Sequence, residues 1–247
     1  MTDELDSLRL GAADSLFLDL DGTLADIVAD PDSVALDAMT AAALADLASR
    51  LGGALAILSG RDVRDLARRT PQGLWRLGGH GLEVLAPTEP PASQPPGLGE
   101  AVLAPLREQA QRRGVRLEQK GPVAALHFRA APEAEFDCKA AAKAAVEHGQ
   151  GLVWQAGKMV VEVKPESAHK GRALLELSAR APFAGRRPIM IGDDTTDEDA
   201  IVAAQSLGGV GVRVGQGASN AALRAADPAA VRAWLVREAA VQSVDAG

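Results

Sequence analysis

The sequence predicts an α/β protein: a Rossmann-like, parallel-sheet core with a second α/β domain inserted into it. Three observations predict it. Short apolar runs, each closed by a turn bearing glycine or a carboxylate, alternate with stretches of helical period. Five prolines between Ala86 and Gly97 break that alternation with a linker. Beyond them an α-β-β pattern runs twice, and β-α alternation returns only after Pro165.

The first element is the run Ser15-Leu16-Phe17-Leu18, a buried strand that ends in Asp19-Leu20-Asp21-Gly22-Thr23-Leu24. Open α/β sheets bind ligands at the carboxyl ends of their strands, which places Asp19 and Asp21 at a binding edge. Residues two apart share a face, and as the chain turns at Gly22 both side chains reach one crevice. Neighbouring carboxylates repel, so such a pair demands a cation or a shared proton, whereas Asp-Gly alone is a common turn. Leu36, Met39, Ala43, Leu44, Leu47 and Leu51 then recur at helical spacing, and Gly52-Gly53 closes that helix. A second strand, 54–58, runs into Ser59-Gly60-Arg61. Residues 62–69 read as a short helix and 74–77 as a strand before Gly78-Gly79-His80-Gly81.

Within the interruption, 99–113 and 133–148 read as helices, and 115–118, 123–128, 152–155 and 159–163 as strands. The core resumes at Lys170, which heads a helix over 170–179. A strand over 189–191 then leads into Gly192-Asp193-Asp194-Thr195-Thr196-Asp197-Glu198, followed by a helix over 198–205 and a strand over 210–214. Residues 228–241 form a last amphipathic helix with Val231, Trp234 and Leu235 on one side. The expected division is 1–86 with 166–247 as the core and 87–165 as the insertion.

Composition narrows the function. A formal charge of −7 with no Lys/Arg-rich run argues against nucleic acid as a partner. The single Cys138 forms no internal disulfide, which points to a reducing compartment or to no redox role at all, and its expected job is packing. The acidic start Met1-Thr2-Asp3-Glu4 is unlike a signal peptide, and no apolar run approaches membrane-spanning length, so the expected location is cytoplasmic. Aromatic residues make up 3% and tyrosine is absent, which leaves few rings to stack on a base or sugar. The four histidines, His80, His127, His148 and His169, show no metal-ligand spacing, and His80 reads as a structural brace. The glycines of 211–217 lack the dinucleotide fingerprint and read as a loop.

Taken in order, the Asp19 string, Ser59, Lys170 and the Asp193 cluster resemble the haloacid dehalogenase-like phosphohydrolases. Their pattern is Asp-x-Asp-Gly-Thr-Leu, a Ser or Thr after a second strand, a Lys, and an acidic cluster after a later strand. The resemblance implies that superfamily's core, with the insertion as a cap that decides the substrate. It implies Asp19 as the nucleophile of an aspartyl-phosphate route and Asp21 as acid, then base. Ser59 and Lys170 would hold the phosphoryl oxygens. Mg²⁺ would be held by Asp19, the backbone carbonyl of Asp21, and Asp193, with Asp194 and Asp197 in support.

Within that superfamily the chain is similar to the trehalose-6-phosphate phosphatase family over nearly its whole length. The likeness is carried by Gly78-Gly79-His80-Gly81-Leu82-Glu83, Leu117-Glu118-Gln119-Lys120-Gly121, Ala125-Leu126-His127-Phe128-Arg129, and Gly157-Lys158-Met159-Val160-Val161-Glu162-Val163-Lys164-Pro165. Glu118, Lys120 and Glu162 fall where that family contacts its disaccharide, and Arg61 joins them as a substrate-binding residue. Carboxylates accept from paired hydroxyls and an ammonium donates to them, so such a set reads a polyol without aromatic rings. The implied partner is a small sugar phosphate bound by a monomer, the last step of trehalose biosynthesis. Three alternatives stay open: a phosphatase of sucrose phosphate, a mannosyl phosphate or a phosphorylated polyol, a phosphomutase of the same fold, and a non-catalytic sugar-phosphate sensor.

Overall fold

A computed structural model describes residues 4–28, 30–157 and 159–241; Lys158 of the last string above and the first three residues of the acidic start lie outside them. The described chain divides into two units, one running to Pro91 and resuming at His169, the other Ala92–Ala168.

The first unit is built on a seven-stranded sheet. Its strands are β1 (Asp14–Leu18), β2 (Leu55–Leu58), β3 (Trp75–Gly78), β4 (Glu83–Leu85), β9 (Arg187–Gly192), β10 (Val210–Val214) and β11 (Leu223–Ala225), in the order β11-β10-β9-β1-β2-β3-β4. Every pairing is parallel except β3 with β4. The strands read as continuous apolar runs because both faces are covered: all five residues of β1 and all four of β2 are buried. Helices α1 (Ala38–Arg50) and α7 (Pro228–Ala240) pack on each other, as do α5 (Lys170–Ser178) and α6 (Thr195–Ser206), while α2 (Val63–Arg69) packs on β3. Val231, Trp234 and Leu235 of α7 are buried, and the Trp234 indole N–H donates to Leu8 O at 3.0 Å.

This topology positions the chemistry. From β1 the chain moves outward through β2 and β3, then returns to β9 on the other side of β1. Strand order therefore reverses between β1 and β9, and the crevice at their carboxyl ends is where ligands bind in such sheets. Asp19 and Asp193 follow those two ends.

The second unit carries a four-stranded antiparallel sheet, β5 (Arg116–Lys120), β6 (Val123–His127), β7 (Leu152–Gly157) and β8 (Val160–Pro165), in the order β5-β6-β8-β7. Its helices α3 (Glu100–Gln109) and α4 (Glu135–Val146) pack on each other, and α4 packs on β7 and β8. Val102, Leu106, Leu126, Cys138, Val161 and Val163 share one buried core. Glu118, Ala125, Glu162 and Gln155 are register partners across all four strands and so share a face of the sheet.

Three expectations need correction. Met39 is 67% exposed and lies off the buried stripe of α1, and Leu36 precedes the helix. The helix expected over 99–113 stops at Gln109, with Pro105 inside it. The three-residue strands β4 and β11 were not foreseen, being too short to carry a period and formed through pairing with β3 and β10.

Candidate active site

Asp19 leaves the end of β1 with its N–H donating to Ile191 O of β9 at 3.0 Å. Its carboxylate is buried beside Lys170, the first residue of α5, whose ammonium donates to Asp19 Oδ1 at 2.7 Å and to Asp197 Oδ1 at 2.6 Å. Asp197, fully buried in the first turn of α6, accepts on its other oxygen from the N–H groups of Asp193 and Asp194, at 3.1 and 3.0 Å. One carboxylate thus fixes both Lys170 and the loop after β9. Asp194 precedes α6 as its N-cap, and its carbonyl accepts from Arg213 at 3.0 Å.

Gly22 explains why the first motif turns as it does. Its φ of +85° suits glycine, and a Cβ there would collide with the Asp193 carboxylate. The two acidic loops approach each other because one of them has no side chain at this point.

Carboxylate oxygens of Asp19, Asp193 and Asp197 lie within 4.8 Å of one another, and Lys170 is the ammonium among them. Burial, reinforced by Asp197 and Asp193, pushes Asp19 well above the usual carboxylate range against the pull of Lys170. Burial, with Asp197 and Asp194 adding repulsion, raises Asp193 to about 7. Burial alone would lower Lys170, but Asp19 and Asp197 outweigh it and hold the ammonium charged. Three acids against one base leave an excess of negative charge around hard oxygen donors, the chemistry that suits a divalent cation such as Mg²⁺. Asp197 already accepts from Lys170 and two backbone N–H groups, so Asp19 and Asp193 are the better placed ligands.

Ser59, at the end of β2 and 2% exposed, accepts the Arg61 N–H on its hydroxyl at 3.2 Å. The segment after β3 holds this loop: His80 N–H donates to Ser59 O at 2.9 Å and Gly79 N–H to Arg61 O at 2.8 Å. His80 is buried in the left-handed region at φ +59°, with its ring where a Cβ on Gly60 would fall. Glu83 of the same segment pairs with Arg64 of α2.

Arg61 has protein partners that the sequence did not indicate. Its Nε and Nη2 donate to the two oxygens of Asp21 at 2.6 and 2.7 Å, and its Nη1 to Asp65 at 2.8 Å. All three nitrogens donate to carboxylates of the protein, so Arg61 braces Asp21. Sequence spacing gives no signal for a partner forty residues away; the signal available was an arginine directly after the hydroxyl loop.

In the second unit the structure brings Glu118 and Lys120 together, Nζ to Oε1 at 3.1 Å, with Glu162 in the same cross-strand row. It adds a residue not foreseen, His127, whose Nε2 lies 2.8 Å from Glu118 Oε2.

The family profile described as trehalose-phosphatase matches residues 17–229. The trehalose-6-phosphate phosphatase of Escherichia coli (strain K12) is 36% identical over 241 residues, covering 95% of this chain and 90% of that protein. A probable trehalose-phosphate phosphatase of Sinorhizobium fredii is 38% identical over 207 residues, covering 81% and 77%. Among solved structures, the C-terminal domain of C. albicans trehalose-6-phosphate phosphatase superposes with a TM-score of 0.80 at 23% identity, covering 92% of each chain, and supports the fold. With the profile spanning both units and two relatives aligned along most of its length, the chain belongs to the trehalose-phosphatase family of phosphoric monoester hydrolases.

Proposed function

We propose that this enzyme hydrolyses trehalose 6-phosphate to trehalose and inorganic phosphate through an aspartyl-phosphate on Asp19, with Mg²⁺ as cofactor. The observation that carries the reading is the buried Asp19–Lys170–Asp197 triad at the β1/β9 switch point. An Asp19 oxygen attacks phosphorus, and the bond to the sugar oxygen breaks with its electron pair leaving on that oxygen. Asp21 gives the sugar oxygen a proton, then takes one from the water that attacks the phosphoryl group and frees Asp19. Both Asp21 oxygens accept from Arg61, which fixes the carboxylate in place and leaves its other lone pairs open. Ser59 and Lys170 steady the phosphoryl oxygens as charge develops. Asp19 and Asp193, with the Asp21 carbonyl, would hold Mg²⁺, which would supply charge neutralisation where an anionic nucleophile meets an anionic substrate.

The inserted unit acts as the cap, with Glu118, Lys120 and Glu162 reading the disaccharide. The enzyme works as a cytoplasmic monomer at the end of trehalose synthesis; among the described residues no helix is long and apolar enough to cross a membrane.

The test is phosphate release with Mg²⁺ from trehalose 6-phosphate beside sucrose 6-phosphate, glucose 6-phosphate and mannose phosphates, with Asp19→Asn as the blank. A preference of about a hundredfold for trehalose 6-phosphate is expected, which at about 1.4 kcal/mol per decade assigns roughly 3 kcal/mol to sugar recognition. Equal rates on all would remove the substrate assignment and keep the phosphatase; no release from any would remove the catalytic reading.

A further inference from the structure

We infer that His127 is a positioning residue for sugar recognition: with Lys120 it fixes the Glu118 carboxylate on the sheet face that Glu162 shares, leaving that carboxylate's remaining lone pairs for sugar hydroxyls. The inference deepens the proposed function and rests on its assignment of Glu118 to the sugar.

The geometry gives each oxygen of Glu118 its own donor. His127 Nε2 lies 2.8 Å from Oε2, and Lys120 Nζ lies 3.1 Å from Oε1. The register makes this possible. Glu118 stands opposite Ala125, and His127 stands opposite Arg116, so His127 reaches Glu118 along the diagonal of an antiparallel pair. Ala125 lies between Glu118 and Glu162 in that row, so no long side chain separates the two carboxylates there. The three side chains are half-buried, at 34% for His127, 23% for Glu118 and 35% for Lys120, dry enough to strengthen the bonds and open enough to meet a ligand.

Electrostatics supports the geometry. The His127 hydrogen bond, helped by the charge of Lys120 against the opposing effect of burial, draws Glu118 down to about 2. Glu118 is therefore an acceptor only, with about four lone-pair sites. Two are taken by His127 and Lys120, and the rest match a pair of vicinal hydroxyls. Without His127 one oxygen is free to swing, and the acceptor pair loses its fixed spacing.

The experiment compares wild type, His127→Ala and His127→Gln on the panel of sugar phosphates and on p-nitrophenyl phosphate, with thermal midpoints measured alongside. Gln places an amide N–H at the reach of Nε2. On the best sugar phosphate, His127→Ala should raise KM about tenfold or more with kcat within about threefold, and the loss in kcat/KM should exceed that on p-nitrophenyl phosphate about tenfold. His127→Gln should recover most of the loss. In a Glu118→Gln background, removing His127 should cost about twofold at most, because the two act as one unit.

Equal losses on both substrates, an unmoved KM, or a Gln variant as poor as Ala would each overturn the inference and leave His127 a cross-strand brace. Should His127→Ala fail to fold, the Gln variant and the Glu118→Gln pair still decide it. The substrate reading fails separately, if wild type prefers another sugar phosphate, and His127 is then judged on that one.

Discussion

At the scale of single residues, Gly22 carries a constraint that no other residue type meets. Its positive φ costs a non-glycine residue about 1–2 kcal/mol, and a Cβ would enter the Asp193 carboxylate. Gly22→Ala should therefore lower stability by at least about 1 kcal/mol and abolish turnover, because Asp193 must withdraw from Asp19 to make room. Denaturant melts and phosphate release measured together check this; a Gly22→Ala enzyme with full activity would show that the two acidic loops need not approach so closely. His80 is the converse, a side chain kept in the left-handed region by its position against Gly60, with its own N–H on the Ser59 carbonyl. Both residues act by where they let the backbone go, Gly22 in the loop after β1 and His80 against the loop after β2.

At the scale of elements, α2 is tied to the site by charge. Burial alone would raise Asp65, but hydrogen bonds and charge from Arg69 and Arg61 outweigh it and hold the carboxyl at about 2, below its ordinary 3.8. A group depressed in the folded state contributes stability above its unfolded value and loses it as pH falls through the folded one. Asp65→Asn should thus flatten the acid limb of the stability curve between about pH 4 and 2, at a cost on the order of 1 kcal/mol at neutral pH after allowing for solvent screening. Chemical melts of both proteins from pH 2 to 7 measure it; parallel curves would refute the coupling. Elements of this kind divide what the sequence makes legible from what it does not. The buried runs of β1, β2 and β9 were readable because parallel strands are apolar on both faces. The Asp19, Ser59, Lys170 and Asp193 motifs were readable because each stands at an element's end. Strands β4 and β11 and the Arg61–Asp21 bond were not, since each depends on a partner that only the folded chain brings near.

At the scale of the whole molecule, the insertion has its own core. Leu103, Leu126, Phe128, Cys138 and Val161 pack in a cluster separate from that of Leu16, Ile57, Ile191 and Trp234. A unit that buries its own apolar face and pairs its own strands needs little from the rest of the chain to fold. The fragment 92–168 should therefore give a helix-and-strand circular dichroism spectrum and a cooperative thermal transition when made alone. Leu126→Ala removes a fully buried side chain from the middle of β6, and it should cost that fragment about 2–5 kcal/mol, enough to abolish a marginal fold. Met39→Ala, on an exposed position of the other unit, should change the full chain's stability by less than about 0.5 kcal/mol. A fragment that unfolds without a cooperative transition would mean that the core strands β1 to β4 and β9 to β11 supply part of its stability. In that case Leu126→Ala in the full chain should weaken both units together, a single transition moving as one; two separable transitions, with only one displaced by the substitution, establish the insertion as an independent fold.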